Sequence, residues 1–305
     1  MNQPDDILTT SGLAIATICA LVASVSAVVR IRSGSHAVRL TERATAIAAT
    51  AICTALFLYR FFGIHHDWVP LESHVDGLLL LNALLGLIIG YTHWSRRLRG
   101  MDVFVLPVLT LMILWALCAS WWTFRPFAIE SVWNTVHLLS VYVGTLAIGF
   151  SAAFGGMYLF IQRQLRSKEH PAVSFRLIGR FASLEAVERG NTVAATIAFA
   201  FISVGLITGI VIMTGSRTDA ALINASSPRM WKIILAAATW LILAPIMHIQ
   251  LAPSFRGKRM AILSIVCFVL VMTVLAIALI GGSMDSATTF VPWLLTQSAG
   301  GAACG

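Results

Sequence analysis

PRMWKIILAAATWLILAPIMHIQL, residues 228–251, carries no formal charge after Lys232. In a helix these 24 residues rise about 36 Å, enough to cross about 30 Å of hydrocarbon. The stretch therefore reads as a membrane span. Two residues do not suit a simple one. Pro245 removes a backbone hydrogen bond and crowds the carbonyl of Leu241, so a kink is expected there. His248 follows within one turn, an ionisable group inside a span and so a functional candidate. Trp231 and His248 stand 17 residues apart, about 25 Å along a helix, and so mark opposite faces of the membrane.

The same apolar pattern recurs at 8–30, 43–62, 76–94, 103–123, 132–162, 191–214, 230–252 and 259–281. The runs are continuously apolar rather than alternating, which predicts helices and not a barrel. Only 11% of residues are charged, against about 25% in a soluble domain. The expectation is an all-α polytopic membrane bundle of about eight transmembrane helices, one integral membrane domain over residues 1–305. MNQPDD at the start is acidic, with no basic region before the first apolar run, so no cleaved secretory signal is expected.

The net charge of +8 is a statement about topology. Arg30, Arg32, Arg39 and Arg43 join spans 1 and 2; Arg96, Arg97 and Arg99 join 3 and 4. Arg163, Arg166, Lys168, Arg176, Arg180 and Arg189 join 5 and 6; Arg256, Lys258 and Arg259 join 7 and 8. Basic loops on one side are cytoplasmic by the positive-inside rule, which puts both termini outside a bacterial cytoplasmic (inner) membrane. A nucleic-acid partner is not needed to explain the charge.

Gly86 with Gly90, Gly149 with Ala153 and Gly205 with Gly209 permit close helix approach. In the loop Gln164–Gly190, FRLIGRFASLEAVER places Phe175, Ile178 and Phe181 at helical spacing. It suits either a helix on an anionic membrane surface or a connector docked on the bundle. Cys19, Cys53, Cys118 and Cys267 fall within spans and read as small apolar packing residues. No CxxC or CxxCH occurs, so no thiol-redox pair or covalent haem attachment is encoded.

The histidines carry more information. His65, His66 and His74 in GIHHDWVPLESHVDG and His137 in SVWNTVHLLSVYVG lie near the outer face, with Trp68, Trp121, Trp122 and Trp133. An interfacial aromatic belt accounts for the tryptophans. A concentration of both residue types also suits an iron porphyrin, held by imidazoles and packed on indole faces. His137 is the best candidate because a helix fixes it, and His74 is the more plausible partner. His93 ends span 3 beside Trp94, Arg96 and Arg97, where interface anchoring is the simpler account. Asn82 is the clearest other buried polar group, explained by an interhelical hydrogen bond. Acidic residues within spans are nearly lacking, and no GxSxG, HExxH or Walker A sequence is present.

Three stretches resemble the CcsA/HemX-like cytochrome c assembly family. TVHLLSVYVGTLAIGFSAAFGGMYLFIQRQLRSK is similar to that family's histidine-led helix with a basic extension. SLEAVERGNTVAATIAFAFISVGLITGIVI resembles the helix that follows. MWKIILAAATWLILAPIMHIQLAPSFRGKRMAILSIVCFVLVM resembles the next hairpin, and the likeness covers about residues 134–275. It implies that His137 is an outer haem ligand and that His248 receives haem within the membrane. The family's WDPK-like segment is replaced by TDAALINASSPRMWK, and GGSMDSATTFVPWLL lacks a second outer histidine. These departures direct the resemblance to the HemX-like branch.

The resulting expectation is a protein that binds or passes non-covalent haem b without turning it over. Its candidate contacts are His137, His248, His74, His93, Trp122 and Trp133, with His137, His248 and His74 as iron ligands. Other cytochrome c biogenesis membrane proteins and the lipid bilayer are the expected partners. The alternative is a haem-free regulator or assembly partner acting through its basic cytoplasmic loop.

Overall fold

The computed structural model describes residues 4–64, 74–94, 100–121, 132–166, 181–215, 228–247 and 257–277. Among these the chain is helical, with no strand. The helices are α1 (Pro4–Ser33), α2 (His36–Tyr59), α3 (His74–Trp94), α4 (Asp102–Ser120), α5 (Val132–Arg166), α6 (Leu184–Gly215), α7 (Pro228–Met247) and α8 (Lys258–Ile277). A π-helical turn, Arg60–Ile64, extends α2. Among the described residues six helices are long and apolar enough to cross a membrane; α3 and α7 hold the shorter apolar segments Val75–Gly90 and Ile233–Pro245. The result is a helical membrane bundle.

Successive helices run up and down. The α1–α2 turn is made by Gly34, whose φ of 66° suits a residue without Cβ and whose N–H returns to the Arg30 carbonyl at 2.9 Å. Gly12 on α1 packs against Leu56 on α2, so the two helices are antiparallel. Arg30 meets Asp102, and Thr10 meets Ser120, which sets α4 antiparallel to α1. Gly149 faces Val108 and Gly156 faces Phe104, so α5 runs antiparallel to α4 and parallel with α1 and α3.

Small residues decide how close the helices come. Ala16, Ala20, Ala23 and Ala27 form a buried stripe on α1, while Ile15, Ile18 and Val25 are exposed on its other faces. Without water, apolar residues gain nothing by turning inward, so packing selects residues that let backbones approach. Gly86 seats Thr50 of α2, as its small-residue spacing suggests, whereas Gly90 faces open space. Among the described glycines, Gly155 of α5 comes nearest a neighbouring backbone: a Cβ there would lie 2.7 Å from the Ala261 carbonyl oxygen of α8. Touched by α3, α4, α6 and α8, α5 is the central helix.

The fifth connection is shorter than its sequence suggests. Helix α6 starts at Leu184 rather than near residue 191, with the Ser183 hydroxyl accepting from the Ala186 N–H at 3.3 Å. The LEAVER half of the amphipathic stretch is therefore the first turns of α6. Phe181 is buried against Phe104 and Phe160, with ring centroids 6.4 and 5.5 Å away. That end of the connector is docked on the bundle; residues 167–180 lie outside the described residues.

Candidate functional site at the pairing of α5 and α6

Helices α5 and α6 pair along most of their length because glycines remove Cβ atoms from the seam. A Cβ on Gly144 would reach Ile202 at 2.8 Å, and one on Gly205 would reach Val141 at 3.2 Å. One turn further, Gly209 leaves room for the His137 ring, whose Cε1 would sit 3.1 Å from an added Cβ. The half-buried imidazole is thus seated on α6, in the second turn of α5.

Hydrogen bonding selects its tautomer. Nδ1 lies 2.8 Å from the Gly205 carbonyl oxygen and 3.3 Å from Thr208 Oγ1. A carbonyl can only accept, so Nδ1 carries the proton and donates. The Thr208 hydroxyl can spend its own hydrogen on the Val204 carbonyl, 2.8 Å away, and still accept from His137. In the neutral ring Nε2 then holds the lone pair. This arrangement, one ring N–H fixed by a carbonyl and the other nitrogen free to ligate, orients most metal-bound histidines. Trp133, one turn earlier on α5, is 52% exposed.

The other proposed ligands divide by position. His74 opens α3, and Gly77 of α3 packs against the Tyr142 ring of α5. Because α3 and α5 are parallel, their first turns share one end of the bundle. His93 is 19 residues after His74, about 28 Å along the helix and so at the opposite end. His65, His66, Trp122 and His248 lie outside the described residues, and α7 is described through Pro245 to Met247. Trp121 ends α4 and is exposed. No group of three His, Cys, Asp or Glu side chains comes together among the described residues.

Two expectations are corrected. Asn82 makes no interhelical bond among the described residues: its Nδ2 donates to Leu78 O of its own helix at 2.9 Å, and Oδ1 has no partner there. Arg30, assigned by its sequence to the loop joining spans 1 and 2, lies inside α1 and is paired. Its Nε meets Glu42 Oε2 and its terminal nitrogen meets Asp102 Oδ2, each at 3.1 Å, with Glu42 fully buried. A second buried pair, Arg60 with Asp76, lies at the other end. Glu42 and Asp102 each stand one residue outside an apolar run, where a charge reads as a loop residue. The usable signal is an arginine and a glutamate flanking one tight hairpin.

Sequence reasoning also missed a buried polar cluster of α5, α6 and α8. Asn191 Oδ1 accepts from Ser151 at 2.6 Å and from Ser264 at 3.0 Å, and the two hydroxyls are 2.9 Å apart. Serine gives little warning of such a role, since its hydroxyl can bond within its own helix; the one Ser264 hydrogen is shared between Asn191 Oδ1 and Met260 O, each 3.0 Å away. Trp240 of the 228–251 stretch ties α7 to α6, donating to Ser203 Oγ at 2.8 Å and stacking on Phe199. No protein-family profile, curated protein or solved structure matches the chain.

Proposed function

We propose that this protein binds haem b non-covalently through His137 and holds or passes it without chemical turnover, as a HemX-like member of the cytochrome c assembly type. The observation that carries the reading is the His137 Nδ1–H···O=C bond to Gly205, which leaves the lone pair on Nε2, a nitrogen with no hydrogen bond among the described residues. An iron porphyrin brings four nitrogens of its own, so one or two imidazoles complete its ligation. Bound haem would supply an iron centre with a characteristic optical spectrum.

The protein's part is to hold the ring and aim it. Gly209 supplies the space, the Gly205 carbonyl sets the tautomer with Thr208 accepting beside it, and Trp133 offers an indole face one turn away. His74 is the proposed second ligand, supported by the shared end of α3 and α5; His248 is proposed for a second station near the opposite face. Arg163, Arg166, Arg189, Lys258 and Arg259 are exposed at one end of α5, α6 and α8, which supports a cytoplasmic assignment for that end. His137 and both termini would then lie toward the outside.

The test is an optical titration of purified protein with haem. A Soret band of bis-histidine type is expected, lost in His137→Ala, partly restored in His137→Gly by added imidazole, and weakened in His74→Ala. Protein that shows no Soret band after haem feeding, or a His137→Ala variant that titrates like wild type, would leave the haem-free partner as the better reading.

A further inference from the structure

On the opposite half of the α5–α6 pair, a cleft of about 700 Å³ opens between α3, α5 and α6. Its volume is within the range of about 300–1,000 Å³ typical of ligand sites. The walls are apolar, with Ile88 of α3, Phe150 and Phe154 of α5, and Val193 and Ile197 of α6. Gly190 and Ala194 keep the floor low; a Cβ on Gly190 would strike the Phe154 ring at 2.5 Å. Polar groups gather at one end only, where Glu185 and Arg189 line the mouth.

Both charges are exposed, and neither joins an ion pair among the described residues. They stand one helical turn apart, with Cβ atoms about 5–6 Å from each other on one face of α6. From Glu185 to Ile197 the helix rises about 18 Å, slightly more than the half-thickness of about 15 Å of a bilayer's hydrocarbon. The cleft therefore has the depth of one leaflet, an apolar body and a mouth carrying one charge of each sign. A negative lipid would meet Glu185 unfavourably, and a quaternary ammonium could not donate a hydrogen bond to it. A headgroup with a phosphate and a primary ammonium satisfies both residues.

We propose that this cleft seats one aminophospholipid of the phosphatidylethanolamine class, its phosphate on Arg189, its ammonium on Glu185 and an acyl chain along Phe154, Val193 and Ile197. The site is separate from His137 and does not depend on haem binding.

Delipidated protein in detergent is titrated with phosphatidylethanolamine, phosphatidylcholine or phosphatidylglycerol and read by native mass spectrometry. One phosphatidylethanolamine should bind about tenfold more tightly than either of the others, about 1.4 kcal/mol. Glu185→Gln should abolish its advantage over phosphatidylglycerol, and Arg189→Gln should weaken all three lipids. Both residues are exposed, so neither variant should disturb folding. Ala194→Phe should exclude lipid by filling the cleft. Equal binding of the three lipids, tighter binding of phosphatidylglycerol, or an unchanged preference in Glu185→Gln overturns the proposal. Failure of every lipid to bind likewise overturns it.

Discussion

Replacing Arg30 by Met tests how the three-helix end of the bundle is held. The guanidinium bridges Glu42 of α2 and Asp102 of α4 at 3.1 Å each, with side-chain exposures of 17% for Arg30, 0% for Glu42 and 11% for Asp102. Methionine keeps the length of the side chain and removes the charge, leaving two carboxylates in a poorly solvated site. Breaking a buried ion pair from one side costs about 3–5 kcal/mol, because the remaining charge keeps its desolvation penalty. Glu42→Gln is a milder change: the amide keeps the volume and an acceptor, while Arg30 retains Asp102. Its expected cost is about 1.5–3 kcal/mol, the range of a hydrogen bond to a charged group. The triple variant Arg30→Met, Glu42→Gln, Asp102→Asn strands no charge and should recover most of the loss. The measurement is reversible unfolding in bicelles by steric trapping, compared with wild type. If Arg30→Met costs no more than Glu42→Gln, or the triple variant is no better than Arg30→Met, the triad is not a buried charge system and the reasoning fails.

Gly155→Ala should destabilise the bundle by about 1–3 kcal/mol by forcing α5 from α8, whereas Gly90→Ala, in open space, should gain up to about 1 kcal/mol from helix propensity; thermal unfolding in detergent compares the pair. Ser264→Ala should cost only about 0.6 kcal/mol, since Ser151 keeps its 2.6 Å bond to Asn191. Asn191→Leu should cost more, because it removes the acceptor shared by both hydroxyls. Gly209→Val should push the His137 ring off the Gly205 carbonyl and, on the proposed haem reading, weaken haem affinity about 10- to 100-fold. Thr208→Val, which leaves that carbonyl in place, should change the same optical titration little.

The agreements and misses follow one physical division. A run such as Val103–Ala119 declares a membrane helix because hydrocarbon demands predominantly apolar side chains and internally satisfied backbone, requirements written residue by residue. That property alone brings out the all-helical bundle and the small residues, Gly86, Gly149, Gly205 and Gly209, at which helices meet. It also singles out His137 as an imidazole on an ordered helix.

What the run of residues does not contain is which side chain meets which across the bundle. Glu42 and Asp102 read as loop charges until α1, α2 and α4 close around Arg30. Ser151 and Ser264 read as ordinary small residues until α8 brings them to Asn191. The tautomer of His137 depends on the carbonyl of Gly205, 68 residues away. Crossing the membrane is a one-dimensional property of composition. The charge neutralisation, the polar cluster and the lone pair of Nε2 are distances between helices, so only the tertiary structure decides them.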